Sequence, residues 1–332
     1  MILAGDVGGT KCNLAAYRVS AGKYQQVAKC RYESRQFSSF ESIVTQFLSE
    51  IPSGTKDTGA ETIEAAGFGV AGPVIDYRVK ATNLPWTVDG AALAVQLATP
   101  HIVLLNDLEA TAYSLALLSP SEIAILNRGV PAPKATQALI AAGTGLGESI
   151  LFWNGDRYAV ASTEGGHTDF APRTEQEIEL LRYMKKRNEY ISVELILSGR
   201  GFRTIHEFLD VSVRHDSFHG TEDDAAPEIT HLALEKKCPV CVETVDLWTV
   251  MYGAEAGNLA LKTLARGGVW IAGGIAVKIR KKMEDGAFFR AFCEKEKFSA
   301  LLAQIPVQMV LNEDAPLLGA MSQALWAAGL RK

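Results

Sequence analysis

Ile2-Leu3-Ala4-Gly5-Asp6-Val7-Gly8-Gly9-Thr10-Lys11-Cys12-Asn13-Leu14-Ala15-Ala16-Tyr17 decides how the rest of the chain is read. Ile2–Val7 is a short apolar run, Gly8-Gly9-Thr10 breaks it, and an extended pattern resumes over 13–17, which spells strand, tight turn, strand. Residues 24–32 read as a third strand beside these two. Phe40, Ile43, Val44, Phe47 and Leu48 recur at helical spacing, so 38–50 is expected to form an amphipathic helix. Further along come an expected strand over 62–70, a half-exposed strand over 74–81 and a helix over 89–98. A buried strand over 101–105 and a helix after Asn106-Asp107 complete the first third.

A second region starts after the connection at Pro131–Pro133. The expected strand 137–142 runs into Gly143-Thr144-Gly145-Leu146-Gly147, and 148–153 returns as its antiparallel partner. Helices are expected to dominate 174–266, apart from a polar, weakly periodic loop over 214–227. Residues 269–272 form a buried strand ending in Gly273-Gly274, 305–311 another strand, and 315–328 a closing helix. Each half thus opens on a hairpin with a glycine-rich turn, an echo of structure without a repeat period in the sequence.

Composition bounds the function classes. The 332 residues are 48% hydrophobic and 21% charged, enough for a large core and of a length that suggests two domains. A formal charge of −5 counts against a generic binder of nucleic acid or anionic membrane, since nothing offsets phosphate repulsion globally. No stretch approaches the roughly 20 apolar residues that span a bilayer. No basic residue precedes the first apolar run, so no signal peptide is expected. Five cysteines suit neither a disulfide scaffold nor full pairing, and a cytoplasmic setting is the expectation.

The glycine clusters differ in what they can hold. Gly67-Phe68-Gly69-Val70-Ala71-Gly72 matches a dinucleotide pattern, but Pro73 and an alternating run follow it where a phosphate-facing helix is required, so it reads as a strand–turn–strand bend. No P-loop pattern occurs. Gly8-Gly9-Thr10 and Gly143-Thr144-Gly145 are tight turns free of bulky side chains, where backbone N–H groups and a Thr hydroxyl can point at an anion. Taken singly each is an ordinary hairpin turn; two of them, with Gly273-Gly274 after a buried strand, point to nucleotide phosphates. Asp6, ending a buried strand beside such a turn, needs a compensating partner. Magnesium bridged to the phosphates through water supplies one, and capping of its own turn is the alternative.

Leu3–Thr10, Leu105-Asn106-Asp107, Ala142–Gly147, Glu164-Gly165-Gly166-His167-Thr168-Asp169-Phe170 and Trp270–Gly274 together resemble the bacterial ATP-dependent glucokinase family, in the order that family shows. The resemblance implies an α/β fold of two RNase H-like (actin-like ATPase) domains flanking a central cleft. It divides the chain into a small domain over 1–107, completed by the helix at 315–332, and a large domain over 108–314. It further implies ATP and Mg2+, a glucose substrate phosphorylated at its 6-hydroxyl, and a homodimer. ATP is then held by Asp6, Gly8, Gly9, Thr10, Gly143, Thr144, Gly145, Gly273 and Gly274.

Transfer of a phosphoryl group to an alcohol needs a carboxylate to take the hydroxyl proton. The resemblance gives that role to Asp107, at a strand-to-helix switch where an aspartate also commonly caps the helix. A hexose presents hydroxyls that each donate and accept, which suits carboxylates, amides and imidazole. Asn83, Asn106, Glu164, His167 and Glu194 match the family's sugar-contacting positions; Glu194 is expected early in a helix. The family carries Asn after the turn threonine and Arg two residues further on, and Lys11-Cys12-Asn13 stands here instead. Lys11 reads equally as a phosphate contact or an exposed hairpin lysine.

His215-x-x-x-His219 with Cys238-Pro239-Val240-Cys241 has ligand-like spacings, but in reverse of the usual finger order, and reads as a polar loop and two ordinary cysteines. The related repressor/ORF/kinase group carries a Cys-rich zinc motif after its Glu-Gly-Gly-His; 168–172 has no Cys, so no zinc is expected there. A kinase for mannose or an N-acetylated hexosamine fits the same motifs. A sugar-sensing regulator on this fold needs a DNA-binding module, for which there is no room before Ile2. An Hsp70- or actin-like ATPase would leave Glu164, His167 and Glu194 without purpose.

Overall fold

Apolar side chains occupy most of β1 (Ile2–Val7) because both faces of that strand are covered. The computed structural model describes residues 1–20, 23–51, 62–81, 84, 86–219 and 225–330. The chain forms two compact units, Met1–Ser119 with Asn312–Lys332, and Pro120–Leu311.

In the first unit, β1 pairs antiparallel with β2 (Lys11–Ser20), which pairs with β3 (Lys23–Glu33). The helix α1 (Phe40–Glu50) follows, its N-cap Ser39 accepting from the Ser42 amide, and buries Phe40, Ile43, Val44 and Phe47. Next, β4 (Ala65–Val70) lies parallel to β1. The half-exposed strand expected over 74–81 is instead a hairpin of β5 (Val74–Ile75) and β6 (Arg78–Lys80), extended by β7 (Thr87–Asp89). Asp76 and Tyr77 take φ of 48° and 62°, the two left-handed residues that a two-residue hairpin turn requires. After α2 (Gly90–Gln96), β8 (Ile102–Asn106) joins parallel to β4 and runs into α3 (Asp107–Ser114).

The second unit begins with β9 (Ile123–Asn127), then β10 (Gln137–Ala142), β11 (Leu146–Trp153) and β12 (Tyr158–Thr163). Four helices follow: α4 (Glu175–Lys185), α5 (Gly199–Leu209), α6 (Ala225–Leu234) and α7 (Pro239–Thr263). Then come β13 (Gly268–Ala272), the short helices α8 (Gly274–Lys278), α9 (Arg280–Met283), α10 (Ala287–Cys293) and α11 (Ser299–Ala303), and β14 (Val307–Val310). The strands β9 and β12 lie where the sequence pattern marks no strand. The chain returns to the first unit as α12 (Ala315–Ala327).

The two sheets share one pattern. Their orders are β3-β2-β1-β4-β8 and β12-β11-β10-β13-β14-β9. In each, three antiparallel strands lead into two parallel ones, and β9 closes the second as an antiparallel edge. Within the first unit Leu3 packs with Phe40 and Val44 on one side of the sheet, while Ile2 and Ala4 pack with Leu317, Ala320 and Met321 of α12 on the other. Gly67 and Gly69 of the dinucleotide-like pattern serve this packing. A Cβ on Gly67 would collide with the Ala320 carbonyl, and one on Gly69 would lie 2.8 Å from the Ala110 Cβ. The boundary expected after residue 107 falls later, because α3 packs against α12 and stays with the first unit.

Candidate active site

The first glycine turn is braced from the neighbouring strand. The Gly8 amide donates to the Lys11 carbonyl at 3.0 Å, while Ser34 donates its amide to the Thr10 carbonyl and its hydroxyl to the Gly8 carbonyl, both at 2.9 Å. Gly8 and Gly9 are half-buried, and Thr10 and Lys11 are exposed. Asp6 faces Asn13 across the hairpin and accepts from its Nδ2 at 3.1 Å. Burial pushes the Asp6 carboxyl up to about 6; the Asn13 bond opposes the shift, and the nearby Asp107 and Asp314 carboxylates add to it. Asp314 itself is paired with Lys29 at 2.6 Å. Asp6 is therefore a hard oxygen donor among like charges, a donor set that suits a magnesium ion.

Capping of α3 falls to Asn106 rather than Asp107. The Asn106 Oδ1 accepts from the Leu108 amide at 2.9 Å, and its Nδ2 donates to the Gly72 carbonyl at 3.2 Å. Asp107 occupies the first helical position, half-buried, with Oδ1 accepting from the Leu108 amide at 2.8 Å. Close approach at Gly69, where a Cβ would sit 3.6 Å from the Asp107 Cα, lets this end of α3 rest directly on β4.

The second glycine turn, in the other unit, is held from below by Glu194. Its Oε2 accepts from the Leu146 amide at 3.0 Å and its Oε1 pairs with Arg200 at 2.9 Å. A Cβ on Gly145 would come within 2.6 Å of the carboxylate. Glu194, expected early in a helix, sits instead in a turn before α5. Ser192 bridges to Asp169, and the Val193 and Glu194 amides donate to the Thr168 and Gly166 carbonyls at 3.0 and 2.9 Å, so this backbone is committed to pairing.

That pairing brings the Glu164–His167 segment next to Glu194. Gly165–His167 is one 3-10 turn, with Gly166 pressed so closely on β11 that a Cβ would strike the Leu146 carbonyl. Glu164 and His167 are exposed and adjacent, Nε2 to Oε2 at 3.9 Å. Asn83 lies outside the described residues.

Gly273 takes a φ of 87°, with no room for a Cβ beside the Ala142 carbonyl, so only glycine fits between β13 and α8. A cavity of ≈ 280 Å³ opens on this side of the second unit, lined by Gly143, Thr144 and Gly274 together with Phe202, Thr230 and Lys278. The walls from α5, α6 and Lys278 were not found from sequence; a helical Phe or Thr carries no mark of facing a cavity. Lys278, four residues after Gly274, carries the one signal that could have marked it, a cation one turn beyond a glycine-rich helix start.

A family model described as Glucokinase matches residues 3–326. The chain is 38% identical to the glucokinase of Nostoc punctiforme over 349 aligned positions, covering 99% of both chains. Among solved structures, it is similar to a glucokinase from an Antarctic psychrotroph, with a TM-score of 0.81 at 27% identity and 98% of both chains covered. It also matches the fold of a Balamuthia mandrillaris glucokinase in complex with glucose, with a TM-score of 0.79 at 21% identity, over 97% of this chain and 93% of that one. No helix among the described residues is long and apolar enough to cross a membrane.

Proposed function

The chain belongs to the glucokinase family, and from that premise we propose that it transfers the terminal phosphoryl group of ATP to the 6-hydroxyl of glucose, with Asp107 as general base. The observation that carries this reading is the cavity on which Gly143-Thr144 and Gly274, from two well-separated stretches of sequence, converge. A glycine-lined concavity of that kind suits the phosphates of a nucleotide. We read the two units as RNase H-like domains flanking a central cleft, in keeping with the strand pattern that their sheets share.

In the reaction, the Asp107 carboxylate takes the proton of the 6-hydroxyl as that oxygen forms its bond to the γ-phosphorus. The bond from the γ-phosphorus to the bridging oxygen breaks, and ADP leaves. Glu164, His167, Glu194, Asn106 and Asn83 bind the sugar hydroxyls and fix which oxygen faces the phosphate. Gly8, Gly9 and Thr10 hold phosphate from the first unit, and Gly143, Thr144, Gly145, Gly273 and Gly274 from the second. Asp6 would hold Mg2+ through water, and the ion, when bound, neutralises charge on the phosphate oxygens.

Cytoplasmic location and a homodimer belong to the same reading. The test is a coupled kinase assay with Mg-ATP across glucose, mannose, fructose and N-acetylglucosamine. Glucose should show the highest kcat/KM; a higher value for another hexose would move the substrate assignment to that sugar.

A further inference from the structure

A second cluster of chemically capable side chains lies in the second unit, made of residues assigned to neither nucleotide nor sugar. His206 of α5, His215 of the following loop, and Cys238 and Cys241 at the start of α7 bring one ligand atom each to within 4.8 Å of one another. The Cys241 and Cys238 sulfurs lie 3.2 and 3.7 Å from His215 Nε2. Tetrahedral zinc, with Zn–S of about 2.3 Å and Zn–N of about 2.0–2.1 Å, sets its ligand atoms roughly 3.3–3.8 Å apart. The His215 pairs already stand close to that spacing, and the widest pair needs to close by about an ångström, a shift within reach of side-chain rotation.

We propose that His206, His215, Cys238 and Cys241 form a structural zinc site. His206 has no exposed surface, yet neither ring nitrogen has a hydrogen-bond partner. Each buried, unpaired ring nitrogen carries a desolvation cost, and coordination removes that cost for the nitrogen that binds the metal. Both cysteines are buried free thiols. On binding, the two thiols release their protons to solvent, and two thiolates with two neutral imidazoles leave the zinc site without net charge. The Cys238 sulfur caps α7 by accepting from the Cys241 amide at 3.4 Å, which fixes its position at the helix start. Phe218 packs edge-on against both imidazoles and closes the cluster.

The sequence spacing pointed to His219, whose side chain lies outside the described ones; the residue that faces the cysteines is His206, brought there by α5. The ion would tie α5, the 210–218 loop and the start of α7 together. Phe202, one helical turn before His206, lines the cavity assigned to the nucleotide, so the zinc site would stiffen that wall.

The test is metal analysis of the full chain, purified under reducing conditions and incubated with zinc alone, followed by cobalt substitution. Expected are about one zinc per chain and, with cobalt, a thiolate-to-metal charge-transfer band with four-coordinate visible bands. His215 is half-exposed, so His215→Asn should keep the native circular dichroism while binding zinc at least roughly tenfold more weakly. The Cys238→Ser/Cys241→Ser variant should lose the charge-transfer band. A wild-type chain that retains no zinc, or full zinc retention by the double variant, would overturn the proposal, whatever the kinase assay shows.

Discussion

Glu194 and Leu146 are joined across 48 residues by a hydrogen bond from the Leu146 amide to the Glu194 carboxylate, 3.0 Å long. The glycine turn assigned to phosphate thus rests on a residue assigned to the sugar. Glu194→Ala should therefore raise KM for ATP as well as for glucose, each roughly tenfold or more, because a charge-assisted bond and the Arg200 pair are lost together. Steady-state kinetics with each substrate varied in turn decides this. An unchanged KM for ATP would mean that the turn keeps its shape without the carboxylate.

The glycines divide into those needed for packing and those needed for ligand. Gly67→Ala forces a methyl into the Ala320 carbonyl of α12 and should destabilise the chain by about 1–3 kcal/mol. Gly143→Ala meets nothing within 4 Å and should leave stability almost unchanged while raising KM for ATP. Thermal melts and kinetics of the two variants should separate cleanly; a Gly67→Ala chain with wild-type stability would contradict the packing account.

Asp6 makes stability depend on pH. Its folded pKa is about 6 against 3.8 ordinarily, so over that interval the folded chain holds a proton that the unfolded chain has lost. The Asp6 share of stability therefore falls as pH rises from about 4 and is fully lost above about 6. Glu148, pushed up to about 7 by burial and by Glu255, acts in the same direction. Asp6→Asn should remove its part of the slope, raising Tm at neutral pH relative to wild type while weakening Mg-ATP binding. Melts at about pH 4.5 and about pH 7.5 check it: an equal Tm difference at both would rule out the titration.

What could be read ahead of the structure was whatever is written locally. The β1–β2 hairpin, the α1 stripe and the cap before α3 are patterns of neighbours in sequence, and each lies within a few residues of its expected place. The 74–81 hairpin was not legible, because Asp76 and Tyr77 hold left-handed backbone that their side chains do not advertise. The turn at Glu194 was hidden because its apolar neighbours suit a helix, whereas pairing with 166–169 claims the backbone. His206 reads as one more residue on the buried face of α5, and only the tertiary fold sets it beside two cysteines.

The claim on which the account rests is that Asp107 takes the proton from the sugar. Single-turnover phosphoryl transfer by Asp107→Asn, with glucose and Mg-ATP affinities measured alongside, tests it most directly. The transfer rate should fall roughly a hundred- to ten-thousand-fold with both affinities close to wild type. A transfer rate within a few-fold of wild type would contradict it.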